Sequence, residues 1–417
     1  MHVIRSSVRL RPDKTRVLLR PFFPTNQKRA IKIWRRILSL SAEEVKQQVH
    51  QIRSSFESRH RNLSDFFLQR YAWVQSYLGM EHETDDLRQY LTGAYFSMEY
   101  AVESAALFNP SMVWSPDQSN LNEGQRRFII SLRATGEGHI SSITFRSGII
   151  DAKNNITLEE SEQFVSTAHI ESREKGYQAI FHSSLPLSER ILFPVVPEES
   201  KGLEDARFVR FVDDTGQIIY YATYTAYDGN TIRTRLLQTT DFAHFNIQTV
   251  SGTAIQNKGM ALFPRKVDGK YVMLSRQDNE NNFIMYSDNL KHWPSKTLLT
   301  EPVYPWEFFQ LGNCGSPIET DAGWVMLAHA VGPMRTYVLS AYLLDLNNPG
   351  KVIGCLKEPL MKADTHEREG YVPNVVYSCG AVKHNNTLVI PYAMSDMDSG
   401  FACIELDQLI LALTSEA

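Results

Sequence analysis

Carboxylates and fixed cations crowd three short stretches of this chain: Gly202-Leu203-Glu204-Asp205-Ala206-Arg207-Phe208, Lys258-Gly259-Met260-Ala261-Leu262-Phe263-Pro264 and Ser275-Arg276-Gln277-Asp278-Asn279-Glu280. Each adjoins a segment that reads as a strand. Side chains two apart on a strand share a face, so Asp205 goes with Arg207, and Arg276, Asp278 and Glu280 go together if their strand runs on. Acids and cations gathered in this way suit the breaking of a glycosidic bond. Its oxocarbenium-like transition state needs one acid on the leaving oxygen and a base or anionic nucleophile on the opposite face. An Asp beside Arg is normally held ionised, so Asp205 serves as an acid only once a substrate fills the site and expels water. The bland alternative is a surface ion pair, of which proteins have many. Lys258, Arg276 and His329 are cations of the kind phosphate recognition uses, through Arg forks and Lys point charges, although a single His is more often a satisfied core residue.

Other chemistries find less support. The chain has no G-x-S-x-G, no P-loop, no G-x-G-x-x-G and no H-E-x-x-H, which sets aside most esterases, peptidases, kinases and zincins. Cys314, Cys355, Cys379 and Cys403 fall in the last quarter without a C-x-x-C pair. That spacing argues against zinc and against a disulfide framework, and the four read as small buried thiols. Neither a metal nor an organic cofactor is expected.

The 417 residues are 43% hydrophobic and 22% charged, an ordinary globular composition with ample material for a core. No window approaches eighteen apolar residues, and Met1-His2-Val3-Ile4-Arg5-Ser6-Ser7-Val8-Arg9 has no apolar signal region, so the reading is a cytoplasmic protein with no membrane partner. Residues 1–62 carry 15 Lys and Arg against 4 Asp and Glu, a balance of +11, which leaves −15 for the remainder of a chain whose net charge is −4. Such polarity invites a nucleic-acid reading. Ile31, Ile33, Trp34, Ile37, Leu38 and Leu40 in the same segment need burial, however, which favours a basic helical arm docked on the acidic body of its own or a neighbouring subunit. A homo-oligomer without nucleic acid is the expectation.

An extended stretch from Val8 to Phe23 ends at Pro21 and Pro24, and helical periods follow. Ser41-Ala42-Glu43-Glu44 forms a capping box ahead of Val45, Val49, Ile52 and Phe56 on one face. Phe67, Tyr71, Val74 and Leu78 make a second stripe ended by Gly79, and a last helix is expected over about Asp85 to Ala106, stopping before Asn109-Pro110. Beyond Asn109 the period becomes two. Alternating segments recur at Arg127–Arg133, Ile218–Tyr224, Lys270–Arg276, Gly323–His329 and Leu388–Ala393 every 50–65 residues, apart from one insertion around 150–200. That is the spacing of propeller blades. The expected architecture is mainly β: a five-bladed β-propeller over 108–417, preceded by an extended arm over 1–27 and a helical module over 28–107. Radial closure leaves only short protected edges and a central channel, and a β-sandwich accounts less well for the regular recurrence.

Taken together, the segments from Asn109 to Ile410 resemble glycoside hydrolase family 130, the β-mannosidases and β-mannoside phosphorylases. The resemblance rests on Phe108-Asn109-Pro110-Ser111, Glu204-Asp205-Ala206-Arg207, Leu262–Tyr271, Asp288–Trp293, Gly315-Ser316-Pro317-Ile318, Leu343-Leu344-Asp345-Leu346, Glu369–Val376 and Tyr392-Ala393-Met394-Ser395-Asp396. Each is weak alone; eight in family order are specific. The resemblance implies that Asp205 is the catalytic acid, acting in phosphorylases by relay through a mannosyl hydroxyl. It also implies that Asn109, Arg133 and Asp396 hold the terminal mannose; Arg207, Asp278 and Tyr337 complete the substrate-binding candidates. Phosphorylases of the family add a basic cluster for inorganic phosphate, here Lys258, Arg276 and His329. Where they tend to carry Lys before Ile-Gly, this chain has Gln310-Leu311-Gly312. A missing cation and a base at Glu280 favour the hydrolytic branch, so the leading expectation is an inverting exo-β-mannosidase acting on β-1,2-linked manno-oligosaccharides. A phosphorylase that takes phosphate as co-substrate and releases α-mannose 1-phosphate is the alternative, and a non-catalytic binding propeller is the third.

Overall fold

The computed structural model describes residues 2–79 and 84–415. They fall into two compact units, one built from residues 1–13, 103–161 and 167–417, the other from 14–102 with 162–166. The division therefore differs from cuts at 27 and 107: the first strand belongs with the β unit, and residues 14–27 belong with the helices.

The smaller unit contains helices Gln27–Leu38, Ala42–Phe56, Leu63–Leu78 and Asp86–Tyr95. The capping box forms as the sequence predicts, Ser41 N donating to Glu44 Oε2 at 2.7 Å and Glu44 N to Ser41 Oγ at 3.3 Å, and Gly79 closes the third helix at φ +61°. Val45, Val49, Leu63, Phe67 and Leu91 form the core. The third and fourth helices meet backbone to backbone at Gly93, where an added Cβ would lie 2.0 Å from the Phe67 carbonyl oxygen. The last helix does not run to Ala106. It stops at Tyr95, and Ser97–Ala101 becomes a strand paired with Val17–Pro21, Tyr100 opposite Leu18. Met98, Val102 and Ala105 fit a helical spacing. Tyr100 and Val102 also alternate, both are buried, and a waiting strand partner decides between the two periods.

The larger unit is a succession of antiparallel sets, and each alternating segment read from the sequence is a middle strand of one. The first comprises Ala106–Trp114, Arg126–Thr135 and Ser141–Ile150; the second, Gly202–Val212, Ile218–Tyr227, Ile232–Thr239 and His244–Thr249. A parallel pairing of Gly202 with Ser141 merges these two into one twelve-stranded sheet. Lys258–Leu262, Tyr271–Arg276, Asn282–Ser287 and Thr297–Thr300 make the third. The fourth is built on Gln310–Asn313, Gly323–Val331, Tyr337–Leu344 and Val352–Cys355, and the fifth on Val376–Tyr377, Thr387–Met394, Asp398–Glu405 and the N-terminal Ile4–Leu10. The insertion contributes short strands, of which Gly176–Ile180 extends the second set beyond His244–Thr249.

Neighbouring sets share apolar cores. Phe145 packs with Phe208 and Leu237, Tyr221 with Met260 and Met273, Val272 with Trp324, and Leu339 with Leu388 and Ile390. The fifth set then meets the first, where Leu10, Val389 and Phe401 pack with Phe128 and Ile130. Burial on both faces explains why all nine residues of Gly323–Val331 are buried. Two features went unread in the sequence or were read differently: a C-terminal helix, Leu406–Thr414, and the cysteines, of which Cys314 and Cys379 are buried while Cys355 and Cys403 are only half-buried. No described helix is long and apolar enough to cross a membrane.

Candidate active site

The first strands of three sets lose register next to residues of the candidate site. The ladder of Ala106–Trp114 slips between Phe108 and Ser111, that of Gly202–Val212 between Glu204 and Arg207, and that of Lys258–Leu262 between Lys258 and Ala261. A bulge bends its strand and re-aims side chains. Asn109 and Asp205 sit in the first two with φ of +48° and +52°, and Asp396 shares this conformation at +51°. Asn and Asp tolerate this left-handed region better than other L-residues. Pairing between sets secures these segments: Phe208 N donates to Ser111 Oγ, Cys379 N to Pro110 O, and Asn313 Nδ2 to Gly259 O.

The bulges open onto a cavity of about 170 Å³, room for five or six waters at about 30 Å³ each. Asn109, Arg133, Asp205, Lys258, Arg276, Tyr337 and Asp396 line it, so the chain brings together seven of the residues singled out by sequence. Asp205 is gripped from two sides, accepting from Asn109 Nδ2 at 2.6 Å and from Arg133 Nη1 at 3.1 Å. The second arm of Arg133 holds Glu204 at 2.7 Å, and Lys258 lies 3.8 Å from the same carboxylate. Burial pushes the Asp205 carboxyl up, but Arg133, Lys258, Arg207 and the Asn109 amide outweigh it and hold the group well below the ordinary carboxylate range.

Asp396 behaves in the opposite way. Burial, reinforced by the charge of Asp205, raises it to about 6 against the pull of Arg133, Arg335 and Lys258. A folded value above that of an unfolded Asp, about 4, means that stability present at low pH is lost as pH rises through 6. Asp396→Asn should therefore raise the thermal midpoint more at pH 8 than at pH 4; equal gains at both pH values would contradict the shift.

Arg207 does not share a face with the Asp205 carboxylate, because the bulge between Glu204 and Arg207 interrupts the alternation. It is buried behind the cavity, donating from Nη1 to the Asp205 carbonyl at 3.0 Å and from Nη2 to Tyr377 Oη at 2.8 Å. It fixes the main chain of Asp205 and the Tyr377 phenol rather than meeting a ligand. His329 is likewise no cation: burial, then Arg276 and Arg207, push it well below its usual value. Its Nε2 faces two donors, Arg276 Nη1 and Gln310 Nε2, each at 3.4 Å, so the neutral ring accepts there and seats Arg276. Gly312 makes the seating possible. A Cβ there would come 2.3 Å from His329 Cε1 and 3.1 Å from Arg276 Cδ. Gly312→Ala should displace both side chains and weaken any ligand of Arg276, seen as a raised KM for that ligand with a modestly lowered Tm.

Asp278 and Glu280 lie away from the cavity. The strand bearing Arg276 ends there, Asn279 turns at φ +66°, and Asp278 Oδ1 accepts from the amides of Glu280 and Asn281 in an exposed turn. Phe108 and Val375, which lie within quoted segments but were not among the site candidates, complete the lining together with Tyr377 and Arg335. Tyr377 follows directly on the quoted Glu369–Val376 segment; Arg335 carried no signal beyond the turn-forming Gly332-Pro333. Among the described residues no group of His, Cys, Asp and Glu is placed to hold a metal.

What the cavity offers is one carboxylate fixed by a guanidinium and an amide, a second that burial raises above the usual carboxylate range, and four cations, Arg133, Lys258, Arg276 and Arg335, against those two acids. It can grip hydroxyls and admit an anion. Comparison with known proteins agrees in kind. A family model described as beta-1,4-mannooligosaccharide phosphorylase matches residues 159–416. A 1,2-beta-oligomannan phosphorylase of Thermoanaerobacter sp. (strain X514) is 34% identical over 230 residues, 54% of this chain and 75% of that one. A beta-1,2-mannobiose phosphorylase of the same strain is 32% identical over 264 residues, 60% and 81%. The fold is shared with the solved beta-1,2-mannobiose phosphorylase of Listeria innocua in complex with beta-1,2-mannobiose, at TM-score 0.56 and 19% identity over 76% of this chain and 94% of that one. With the match covering well over half its length and the gripped Asp205 inside it, the chain belongs to glycoside hydrolase family 130 and is an enzyme that breaks glycosidic bonds.

Proposed function

We propose that the protein is an inverting β-mannoside phosphorylase that takes inorganic phosphate and releases α-mannose 1-phosphate, with β-1,2-linked manno-oligosaccharides as its substrates. The observation that carries this is the pairing of Lys258 with Arg276. They are direct partners across one ladder, and both line the cavity beside Asp205. Like charges directly opposite on a sheet repel, and an arriving phosphate dianion turns that repulsion into a clamp. Hydrolysis with inversion needs a carboxylate base beside the acid, and the candidate for it, Glu280, stands in an exposed turn. The relatives named for β-1,2 linkages support the linkage.

In this reading Asn109, Arg133 and Asp396 grip the terminal mannose, and phosphate approaches the anomeric carbon from the side of Lys258 and Arg276. Asp205 supplies the proton that the leaving oxygen needs. Lys258 is one of the charges holding Asp205 ionised, so the incoming dianion weakens that hold and raises the acid as the site fills. Five antiparallel sets joined pairwise by shared cores, the fifth meeting the first, support a five-bladed propeller with this cavity at one end of its channel.

The test is incubation with β-1,2-, β-1,3- and β-1,4-mannobiose with and without phosphate. Mannose 1-phosphate should form from the β-1,2 isomer only when phosphate is present, and free mannose formed equally well without phosphate would overturn the reading. Glu280→Gln should leave turnover essentially unchanged in the same assay; its abolition would restore Glu280 to the chemistry.

A further inference from the structure

The cations at the cavity are not equivalent. Arg133 is committed to Asp205 and Glu204, Lys258 lies near Glu204, and Arg276 rests against His329. Arg335 also lines the cavity, yet it is exposed and has no hydrogen bond or ion pair with any described residue. Its position comes from the backbone. Gly332–Thr336 links strands Gly323–Val331 and Tyr337–Leu344, closed by Gly332 N to Thr336 O at 3.0 Å and Thr336 N to Pro333 O at 3.2 Å. Within it Met334 and Arg335 both take left-handed conformations, φ +57° and +56°.

Two consecutive left-handed residues, neither Gly, Asn nor Asp, are unfavourable. Met334 is 92% exposed, so burial of its own side chain does not offset the strain. The base of the turn is closely packed, for a Cβ on Gly332 would meet the Trp306 carbonyl oxygen at 2.9 Å. A strained backbone held in this way points to a job for the residue it presents. The charge of Arg335 acts on Asp396 more than Lys258 does, and it is not among the main influences on Asp205 or His329. The backbone agrees: Tyr337 N, two residues on, donates to Asn374 O, and Ser395 N donates to Val375 O, so the turn bearing Arg335 adjoins the segment that carries Asp396.

An enzyme that removes terminal sugars seats the terminal unit deepest, among Asn109, Arg133 and Asp396 beside the Asp205 acid, and the rest of the chain leaves through the mouth. We propose that Arg335 reads the leaving sugar: its guanidinium donates to hydroxyls of the unit on the far side of the bond that breaks, making it a specificity residue for sugar over non-sugar leaving groups. The proposal rests on the mannoside reading above, though not on phosphate as the acceptor.

The experiment compares β-1,2-mannobiose with 4-nitrophenyl β-mannoside in wild type, Arg335→Ala and Arg335→Lys, with phosphate saturation and Tm measured alongside. Arg335→Ala should lower kcat/KM for mannobiose about 10- to 100-fold, the loss of a charge-assisted hydrogen bond, mainly through KM. The aryl mannoside, the phosphate KM and the Tm should hardly move, and Arg335→Lys should recover part of the loss. Equal losses on both substrates, a rise confined to the phosphate KM, or no change would each overturn the proposal. A wild type that releases mannose without phosphate would sink the phosphorylase reading while the sugar-to-aryl ratio still decides Arg335; one that cleaves neither substrate would sink the mannoside reading itself.

Discussion

Asp205→Asn should lower kcat on β-1,2-mannobiose by about 10²- to 10⁴-fold, the usual contribution of a general acid, with folding intact because the replacement keeps the volume and can still bond Arg133 and Asn109. In the free enzyme this carboxyl is buried and ringed by Arg133, Lys258 and Arg207, which hold it ionised. Its acidity is therefore conditional on occupancy, and a neutral amide cannot reproduce it. The same variant removes the charge that helps raise Asp396, so the titration of Asp396 should fall back toward the ordinary range. A variant keeping more than about a tenth of wild-type turnover on an unactivated mannoside would remove Asp205 from the acid role.

Arg276→Ala is the second large effect. Truncating one member of a buried, desolvated charge pair generally costs about 2–5 kcal/mol, about 30- to 1000-fold in the affinity of whatever Arg276 holds. If that is phosphate, initial rates of mannose 1-phosphate formation should lose saturation in phosphate while the KM for mannobiose changes little, and sulfate should cease to compete. A rise in the mannobiose KM with unchanged phosphate dependence would move Arg276 to the sugar side and leave Lys258 without its partner in the proposed clamp.

The sequence discloses the site where residue type and local strand geometry agree. Asp205, Lys258 and Arg276 stood out as charges set beside strand-like segments, and Asn109, Arg133 and Asp396 through the family resemblance. Asp278 and Glu280 were misplaced because strand alternation was carried past Arg276, where Asn279 already turns the chain. Arg207 was read as facing a ligand for a related reason: one extra residue in a ladder reverses which face a side chain takes, and a bulge leaves no mark in composition. His329 and Arg276 were legible as residues but not as a pair, since a neutral histidine beneath a guanidinium exists only once burial and neighbouring charge are known. Arg335 could not be found at all, because an exposed arginine in a Gly-Pro turn looks like any other until the backbone angles are seen. The helix that stops at Tyr95 is a tertiary override of local period, decided by Val17–Pro21.

The N-terminal strand has a bearing on synthesis. Ile4 pairs with Cys403 and Leu10 with Ser399, so the two strands of this ladder lie far apart in sequence and their contact order is high. Such contacts carry the largest loop-closure entropy and slow folding. While the ribosome works, Ile4–Leu10 must wait for its partner, and the edge of Asp398–Glu405 is open until the two meet. Unpaired edges invite association with other chains, so nascent protein, or protein that has lost Ile4–Leu10, should be the aggregation-prone form.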